Sequence, residues 1–563
     1  MRILCYTRTP LHEDIYSTKL SYSVHLALEE VDGSLTPLNR NSGIVYAKAT
    51  QNEDGTLNAK CLLNPKLFIR KDGGYGVVAQ RVEPDGSEDV SAEGKYLVFT
   101  SEDLIYYKEH PLMSAEEVKA YAGESILESE RVVLNLPEGG SLPEGAVPGN
   151  MIEIPETLAQ RLRIRFTTPV NVANEVPQQV TASSAEELKN VKALAKYSDG
   201  SNVEKRVDWY VDEVDWNTPG TYEVEGRVHQ DRYEFPVAWH KADPCIGKWN
   251  GKYYFISTND LDREHSIYIR EADSIPGLVT AQQVKILDAY TYPHLGNLLW
   301  APELHVLNDR LYVFHAGTPQ EFFEEQSHVM ALKEGGNPLK ASDWEMPVRV
   351  LKKDGSYLYE NSGKGITLDM TVFEAGGKHY VCWSQRQFLP VDQGAWLYIA
   401  QIDPSEPWKL TTDPVLLSMP EYGWANNHTF VDEGPFALKR DGKVYLTFSS
   451  AAVDSTYVVG LMTGDENADL LNPENWVKEN YPLLTSRSVE GEFGTGHNAY
   501  VTDDEGFVWN TYHARPGVDG PRSSGIRRVH FNAEGFPVLD MKEEIDLKPE
   551  LASVKTVVTV PEK

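Results

Sequence analysis

Three acids stand at matching places along the second half of the chain. They are Asp243 in Ala242-Asp243-Pro244, Asp369 in Leu368-Asp369-Met370, and Glu433 in Asp432-Glu433-Gly434-Pro435-Phe436. Each opens a stretch that continues through a turn-forming pair into an aromatic-rich strand. The pairs are Asn250-Gly251, Gly376-Gly377 and Asp441-Gly442, and the strands that follow include Tyr253-Tyr254-Phe255, Tyr380-Val381-Cys382-Trp383 and Val444-Tyr445-Leu446. One carboxylate at the same place in each repeat would meet the others on the axis of a radially symmetric β-architecture. Converging acids suit general acid/base cleavage of a glycosidic bond. Capping of a turn beside a proline would explain any one of these acids alone. Three in register favour chemistry.

The elements that must hold these acids repeat as well. Trp300-Ala301-Pro302-Glu303-Leu304-His305 and Gly496-His497-Asn498-Ala499-Tyr500 begin two more units of the same kind. Unit starts recur every roughly 60–70 residues, long for a blade repeat but workable with long loops. Each unit has an apolar strand, a Gly, Asn or Asp turn and a strand of aromatic and β-branched residues. The chain therefore reads as all-β, with a five-bladed β-propeller over 241–545. Residues 1–125 form a blade-like β-rich region in which Asn64 takes the place of the acid, so no acid/base work is expected there. Residues 126–163, rich in Pro, Gly and Glu, read as a linker. Over 164–240 short strands alternate with the turns Ser198-Asp199-Gly200-Ser201 and Thr218-Pro219-Gly220-Thr221. That is a small β-sandwich pattern, and with Val207-Asp208-Trp209 it resembles a bacterial immunoglobulin-like module. Residues 546–563 read as a tail.

Composition narrows the partners. The chain has 563 residues, enough for about three or four domains with their own cores. A formal charge of -31 argues against nucleic acid and anionic membranes as partners and against polyanionic substrates. A small neutral oligosaccharide is the easier ligand. The four cysteines, Cys5, Cys61, Cys245 and Cys382, are scattered without metal-ligand spacing and read as free thiols of a reducing compartment. No stretch near Met1 has the apolar run of a signal peptide, and no window would span a bilayer. The expectation is a cytoplasmic protein.

The ordered motifs resemble glycoside hydrolase family 43 over about 240–530. They are Ala242-Asp243-Pro244, Trp300-Ala301-Pro302-Glu303, Leu368-Asp369-Met370-Thr371-Val372-Phe373, Asp432-Glu433-Gly434-Pro435-Phe436, Gly496-His497-Asn498 and Tyr512-His513-Ala514-Arg515. The resemblance implies a five-bladed propeller that hydrolyses glycosides with inversion and needs no cofactor for the chemistry. It implies Asp243 as general base, Glu433 as general acid and Asp369 as the third carboxylate, which raises the pKa of the acid and helps orient it. An inverting pair leaves roughly 6.5–9.5 Å for water. His497 resembles a histidine near the propeller axis that in some members holds a metal ion, often calcium, through this side chain and water; a buried, hydrogen-bonded histidine is the competing reading. Trp300 and Trp383 are expected to line the sugar pocket, with core packing as the competitor for each. Arg515 is expected to bind substrate hydroxyls or pair with a catalytic carboxylate.

Leu298-Leu299-Trp300, Ile366-Thr367-Leu368, Tyr457-Val458-Val459-Gly460 and Gly494-Thr495-Gly496 resemble the exo-acting α-L-arabinofuranosidase branch. A β-D-xylosidase or a galactan- or galactofuranoside-active enzyme is the alternative within the family, and a non-catalytic carbohydrate-binding propeller the alternative outside it. A retaining, sialidase-like propeller would need an arginine triplet at blade starts, which the sequence lacks. The two half-used sheets of 1–125 would expose an apolar face if left alone. They are expected to dock on the immunoglobulin-like module, the propeller or a second copy of the chain, the last making a homo-oligomer.

Overall fold

The computed structural model describes residues 1–128, 134, 136–138, 140–359 and 364–562. They divide into two compact units. One comprises Met1–Ala159 with Phe235–Ile526, the other Gln160–Glu234 with Arg527–Lys563. Among the described residues no helix is long and apolar enough to cross a membrane.

The span from 241 to 528, all but its last two residues in the larger unit, forms five antiparallel sheets in succession, the first four of four strands and the fifth of three. Their first strands are Lys241–Trp249, Leu299–Leu307, Gly365–Ala375, Asp432–Arg440 and Phe493–Thr502. Each sheet is a meander, strand order following chain order. In the first four sheets the turn after the first strand is set by residues that tolerate positive φ. Asn250-Gly251, Asn308-Asp309, Gly376-Gly377 and Asp441-Gly442 all have φ between 48° and 77°. Two consecutive positive values make the tight turn whose twist matches that of the flanking strands. Each first strand lies against the first strand of the next sheet, and that of the fifth lies against that of the first. Ala238, just before the first sheet, bridges Ser524 on the last strand of the fifth. Side chains between neighbouring sheets form the core, as where Phe314, Val329, Val381, Trp383 and Ala400 pack together.

The described residues of 1–159 carry a four-stranded and a five-stranded sheet in the same unit. They dock on the five-sheet body. Ala49 N–H donates to the Glu421 carbonyl at 2.6 Å, Lys48 bridges Tyr422, and Arg487 pairs with Glu144 at 2.9 Å. Of the three docking partners the sequence left open, the structure has this one.

Three expected boundaries differ. Within the expected linker, Ala146–Glu153 is a strand paired antiparallel with Arg2–Arg8, and Glu156–Phe166 is a helix. Residues 129–133, 135 and 139 of that linker lie outside the described residues. Gly149, which helped give the segment its linker composition, is there for close approach: a Cβ would stand 2.1 Å from the Pro65 carbonyl oxygen. The expected tail holds the strand Ser553–Val560, which pairs with Gly220–Val228 on one side and Gln179–Thr181 on the other. Its alternation of buried Val554, Thr556, Val558 and Val560 with more exposed neighbours is the period of a half-buried strand. The fifth sheet ends at Arg528, so the stretch up to 545 belongs to the smaller unit.

That smaller unit packs a three-stranded and a four-stranded sheet around Leu188, Trp209, Val224 and Val558. It also buries an ion cluster. Asp546 accepts from Arg528 at 2.5 and 2.8 Å and from the Tyr197 hydroxyl at 2.6 Å, and Lys205 stands 3.1 Å away. Burial opposes its charge, but Arg528 and Lys205 outweigh it and hold the Asp546 carboxyl well below the usual range. Asp546→Ala leaves two buried cations without their anion. Such losses cost about 3–5 kcal/mol. Urea unfolding of the full chain should show that loss in the transition of the smaller unit.

Candidate active site

Each first strand of the five sheets is broken by a bulge, and the fifth carries a second between Phe493 and Gly496. Pairing jumps from Ala242 to Cys245, Trp300 to Glu303, Leu368 to Thr371, Glu433 to Phe436 and Gly496 to Ala499. The residue after each jump begins is left-handed: Asp243, Ala301, Asp369, Gly434 and His497 have φ from 44° to 54°. Asn64 repeats the device in the front region, with φ 52°. A bulge adds one residue and re-aims the side chains beside it. The register therefore corrects one sequence expectation. Asp243 and Asp369 occupy the bulge itself, while Glu433 stands one residue earlier, level with Trp300 and Leu368. The bulge position of the fourth strand is Gly434, where a Cβ would meet the His497 ring at 3.0 Å.

Asp243, Trp300, Asp369, Glu433 and His497 line one cavity of about 240 Å³, together with Glu264, Phe322, Arg386, Val431, Arg522 and others. Ligand pockets for drug-sized molecules run to roughly 300–1,000 Å³. This one is on the scale of a single sugar ring rather than a chain.

Asp243 is 7 % exposed and fully engaged. His513 Nδ1 lies 3.0 Å from its Oδ1 and 3.2 Å from its backbone nitrogen, the Thr258 hydroxyl donates to Oδ2 at 2.6 Å, His497 Nδ1 lies 3.2 Å from Oδ1, and Arg522 Nη1 stands 3.9 Å from Oδ2. Burial works to raise its pKa. His497, Arg522 and the hydrogen bond with His513 outweigh burial and hold the carboxyl far below the usual range. Glu433 goes the other way. Burial first, and then the charge of Asp243, push it up to about 7, against the bond its Oε1 accepts from Tyr457 at 2.7 Å. Asp369 accepts from Gly434 N–H at 3.0 Å and is raised by burial and by the charge of Glu433. At neutral pH the Asp369–Glu433 pair thus retains a proton. The rings of Tyr457 and His513 stack 5.4 Å apart, so the groups that hold the two outer carboxyls support each other.

Two expected site residues stand elsewhere. Trp383 is fully buried on the second strand of the third sheet, inside the core between sheets and stacked on Tyr398 at 6.0 Å. Strand alternation turns it away from the cavity. Arg515 does not line the cavity. It donates to the carbonyls of Gly520 at 2.6 Å and Val453 at 2.7 Å, pinning the loop that delivers Arg522. Arg522 is the arginine at the site, held by Asp260 at 2.7 and 3.1 Å and by Glu264 at 3.0 Å. Glu264 also accepts from the Trp300 indole N–H. Sequence reasoning missed Arg522, Glu264 and Tyr457. Arg522 and its acids are some 260 positions apart, with no local pattern to join them.

His497 was the candidate metal ligand. One ring nitrogen faces Asp243 and the other, buried, has no hydrogen-bond partner. Among the described residues no group of three or more His, Cys, Asp or Glu side chains is placed to hold an ion. Calcium takes six to eight oxygens, so an ion held through this one side chain would take most of its ligands from water.

Arg522→Ala should raise the pKa of Asp243 toward the ordinary carboxylate value by removing a cation beside it. If activity needs Asp243 ionised, the acid limb of the kcat/KM profile moves to higher pH, toward the ordinary carboxylate range, while its ionisation at neutral pH is unchanged. Steady-state kinetics carried down to about pH 3 would check this.

A family model described as glycosyl hydrolases family 43 matches residues 233–537, a little over half the chain, and one described as bacterial Ig-like domain (group 4) matches 191–231. The chain is 32% identical over 318 residues to "Alpha-L-arabinofuranosidase B" of Pyricularia oryzae, covering 54% of this chain and 62% of that protein. It is 33% identical over 293 residues to "Extracellular exo-alpha-(1->5)-L-arabinofuranosidase" of Streptomyces chartreusis, covering 50% and 82%. The match thus spans about three-fifths of the first relative. Among solved structures, an α-L-arabinofuranosidase from Lactobacillus brevis aligns with TM-score 0.48 and 29% identity, over 55% of this chain and 96% of that one.

Proposed function

Because the chain belongs to glycosyl hydrolase family 43, we propose that it removes non-reducing-end α-L-arabinofuranosyl residues from short plant-derived oligosaccharides, with inversion. The observation that carries this reading is a pair of carboxyls at one cavity pushed to opposite sides of neutrality, Asp243 down and Glu433 up to about 7. Such a pair divides into a group that stays ionised and one that still holds a proton to give.

Glu433 is read as the general acid, protonating the oxygen of the leaving group as the glycosidic bond breaks. Asp243 is read as the base that orients and deprotonates the attacking water on the opposite face of the sugar. Its low proton affinity delays proton transfer until the sugar carries most of its positive charge, in keeping with an oxocarbenium-like transition state that needs little push from the nucleophile. Asp369 is read as the third carboxyl. Its bond to Gly434 N–H fixes the backbone directly after Glu433, and the charge of that acid opposes its own ionisation. Trp300 and Phe322 offer the apolar wall for a sugar face, and Arg522 and Glu264 the hydroxyl partners.

The scaffold is read as a five-bladed propeller. Support comes from first strands that touch in cyclic order and from the Ala238–Ser524 bridge, which would join the ends of the ring. The small cavity favours exo action on one terminal residue. A cytoplasmic location with imported oligosaccharides belongs to the same proposal. It is supported by four cysteines that are all buried and unpaired, and cell fractionation tests it.

A panel of aryl glycosides, with Asp243→Ala as the blank, tests the sugar. The expected result is release from the α-L-arabinofuranoside at least tenfold faster than from the β-D-xyloside or a galactofuranoside. A preference for either of those would move the assignment within the family. Binding without turnover of any substrate would return the molecule to the class of carbohydrate-binding propellers.

A further inference from the structure

Residues 1–159 lie outside both family matches, yet they touch the chain that walls the cavity. Two segments form that wall, the first running from a turn into the strand Gly394–Ile402. One, 392–395, brings in Ala395 and holds Arg386 through a two-point pair with Asp392 at 2.6 and 3.0 Å. The other, 426–431, brings in Thr429 and Val431, two residues before Glu433. The segments are laced together. Ala395 N–H donates to the Phe430 carbonyl at 2.9 Å, and Gly394 comes so close that a Cβ would stand 2.3 Å from that oxygen.

The front region grips both segments from behind. The Lys19 ammonium donates to the Asn426 carbonyl at 2.6 Å and stands 5.6 Å from the centre of the Phe430 ring. The Ser17 hydroxyl donates to the Asn427 side-chain oxygen at 2.7 Å. At the tip of the hairpin joining Thr50–Gln51 to Leu57–Asn58, the Asp54 carbonyl accepts from the Gln393 side chain at 2.7 Å. Gly55 allows this approach, since a Cβ there would stand 2.5 Å from that nitrogen. None of these residues lines the cavity.

We propose that Ser17, Lys19 and the Asp54–Gly55 tip form a positioning clamp that fixes the cavity wall beside Glu433, and thereby set which leaving groups the enzyme accepts. This role requires Glu433 to be the general acid proposed above. The acid must meet the leaving oxygen, so the wall next to it is the one the leaving group passes. A sugar leaving group fills that space and needs the wall in place, whereas a flat aryl group with a good leaving oxygen needs it less. The front region would then be a specificity element of the active site, with no contact to the bond that breaks.

Lys19→Met in the full chain tests this, with Lys19→Arg as the conservative partner. Ser17→Ala, which removes one hydroxyl, carries the same test should Lys19→Met fold poorly. Loss of a charged hydrogen bond should speed amide exchange over 392–396 and 426–431 by about tenfold. The kcat/KM for an arabinofuranosyl disaccharide should fall by about five- to tenfold, mainly through KM, while that for the aryl arabinofuranoside stays within about twofold. Lys19→Arg should restore both. Equal losses on the two substrates, or faster exchange confined to 17–22 with an unchanged substrate ratio, would overturn the clamp and leave a contact that only stabilises. A wild-type protein inactive on every arabinofuranoside would sink the proposed substrate instead. The exchange measurement would still decide whether the clamp holds the wall.

Discussion

Asp243→Ala is expected to lower kcat by about 10³-fold or more on every glycoside the wild type cleaves, whatever the leaving group. The carboxylate has hydrogen bonds with His513 and Thr258 and the charge of Arg522 beside it. It is therefore ionised throughout the working range, and no neighbour of equal basicity stands in for it. Its loss removes the group that would orient and deprotonate water, a step common to good and poor leaving groups alike. Asp243→Asn keeps the shape and most of the hydrogen bonds, so it separates charge from packing. Both variants should fail equally in turnover, while Asp243→Asn should hold its melting temperature closer to that of the wild type. Retention of even a tenth of the activity by Asp243→Ala would remove Asp243 from the mechanism.

Glu433→Ala should divide substrates by their leaving groups. On unactivated oligosaccharides kcat should fall by about 10²–10⁴-fold, the usual contribution of a general acid. On aryl glycosides with acidic phenols the fall should be within about tenfold, because little protonation is needed. The wild-type pH profile belongs to the same argument. Glu433 works protonated and is pushed up to about 7, so kcat/KM should fall as pH rises through about 7. The Tyr457 hydroxyl donates to the ionised form and favours it. Tyr457→Phe should therefore move the basic limb upward. A downward shift, or an equal fall of Glu433→Ala on both classes of substrate, would contradict the assignment of the acid.

The sequence made some of this plain and hid the rest for identifiable reasons. Asn250-Gly251, Gly376-Gly377 and Asp441-Gly442 announced tight turns because turn chemistry is local, and the strands after them followed from their aromatic and β-branched runs. The same local motifs led to Asp243, Asp369, Glu433, Trp300 and His497, which the fold brings to one cavity. What depended on register was misjudged. Glu433 precedes its bulge residue while Asp243 and Asp369 occupy theirs, and a one-residue offset changes which way a side chain points. Trp383 and Trp300 look alike in sequence. One lies between sheets and the other at the mouth of a first strand, a difference set by pairing over long range. Arg522 could not be told from Arg515, since its partners Asp260 and Glu264 come from the other end of the five-sheet body. The strand Ser553–Val560 carries a readable alternation, but its neighbours lie more than 300 positions away, so it passed for a tail.

In the proposed mechanism Asp243 and Glu433 act on opposite faces of one sugar, with water as the only nucleophile. Proton NMR of the first turnovers on an α-L-arabinofuranoside, recorded before the free sugar equilibrates, reads this directly. The expected first product is β-L-arabinofuranose, with the α anomer appearing only later by mutarotation. Release of α-L-arabinofuranose first would mean that configuration is retained through a covalent intermediate, and the assignment of Asp243 as base would be wrong.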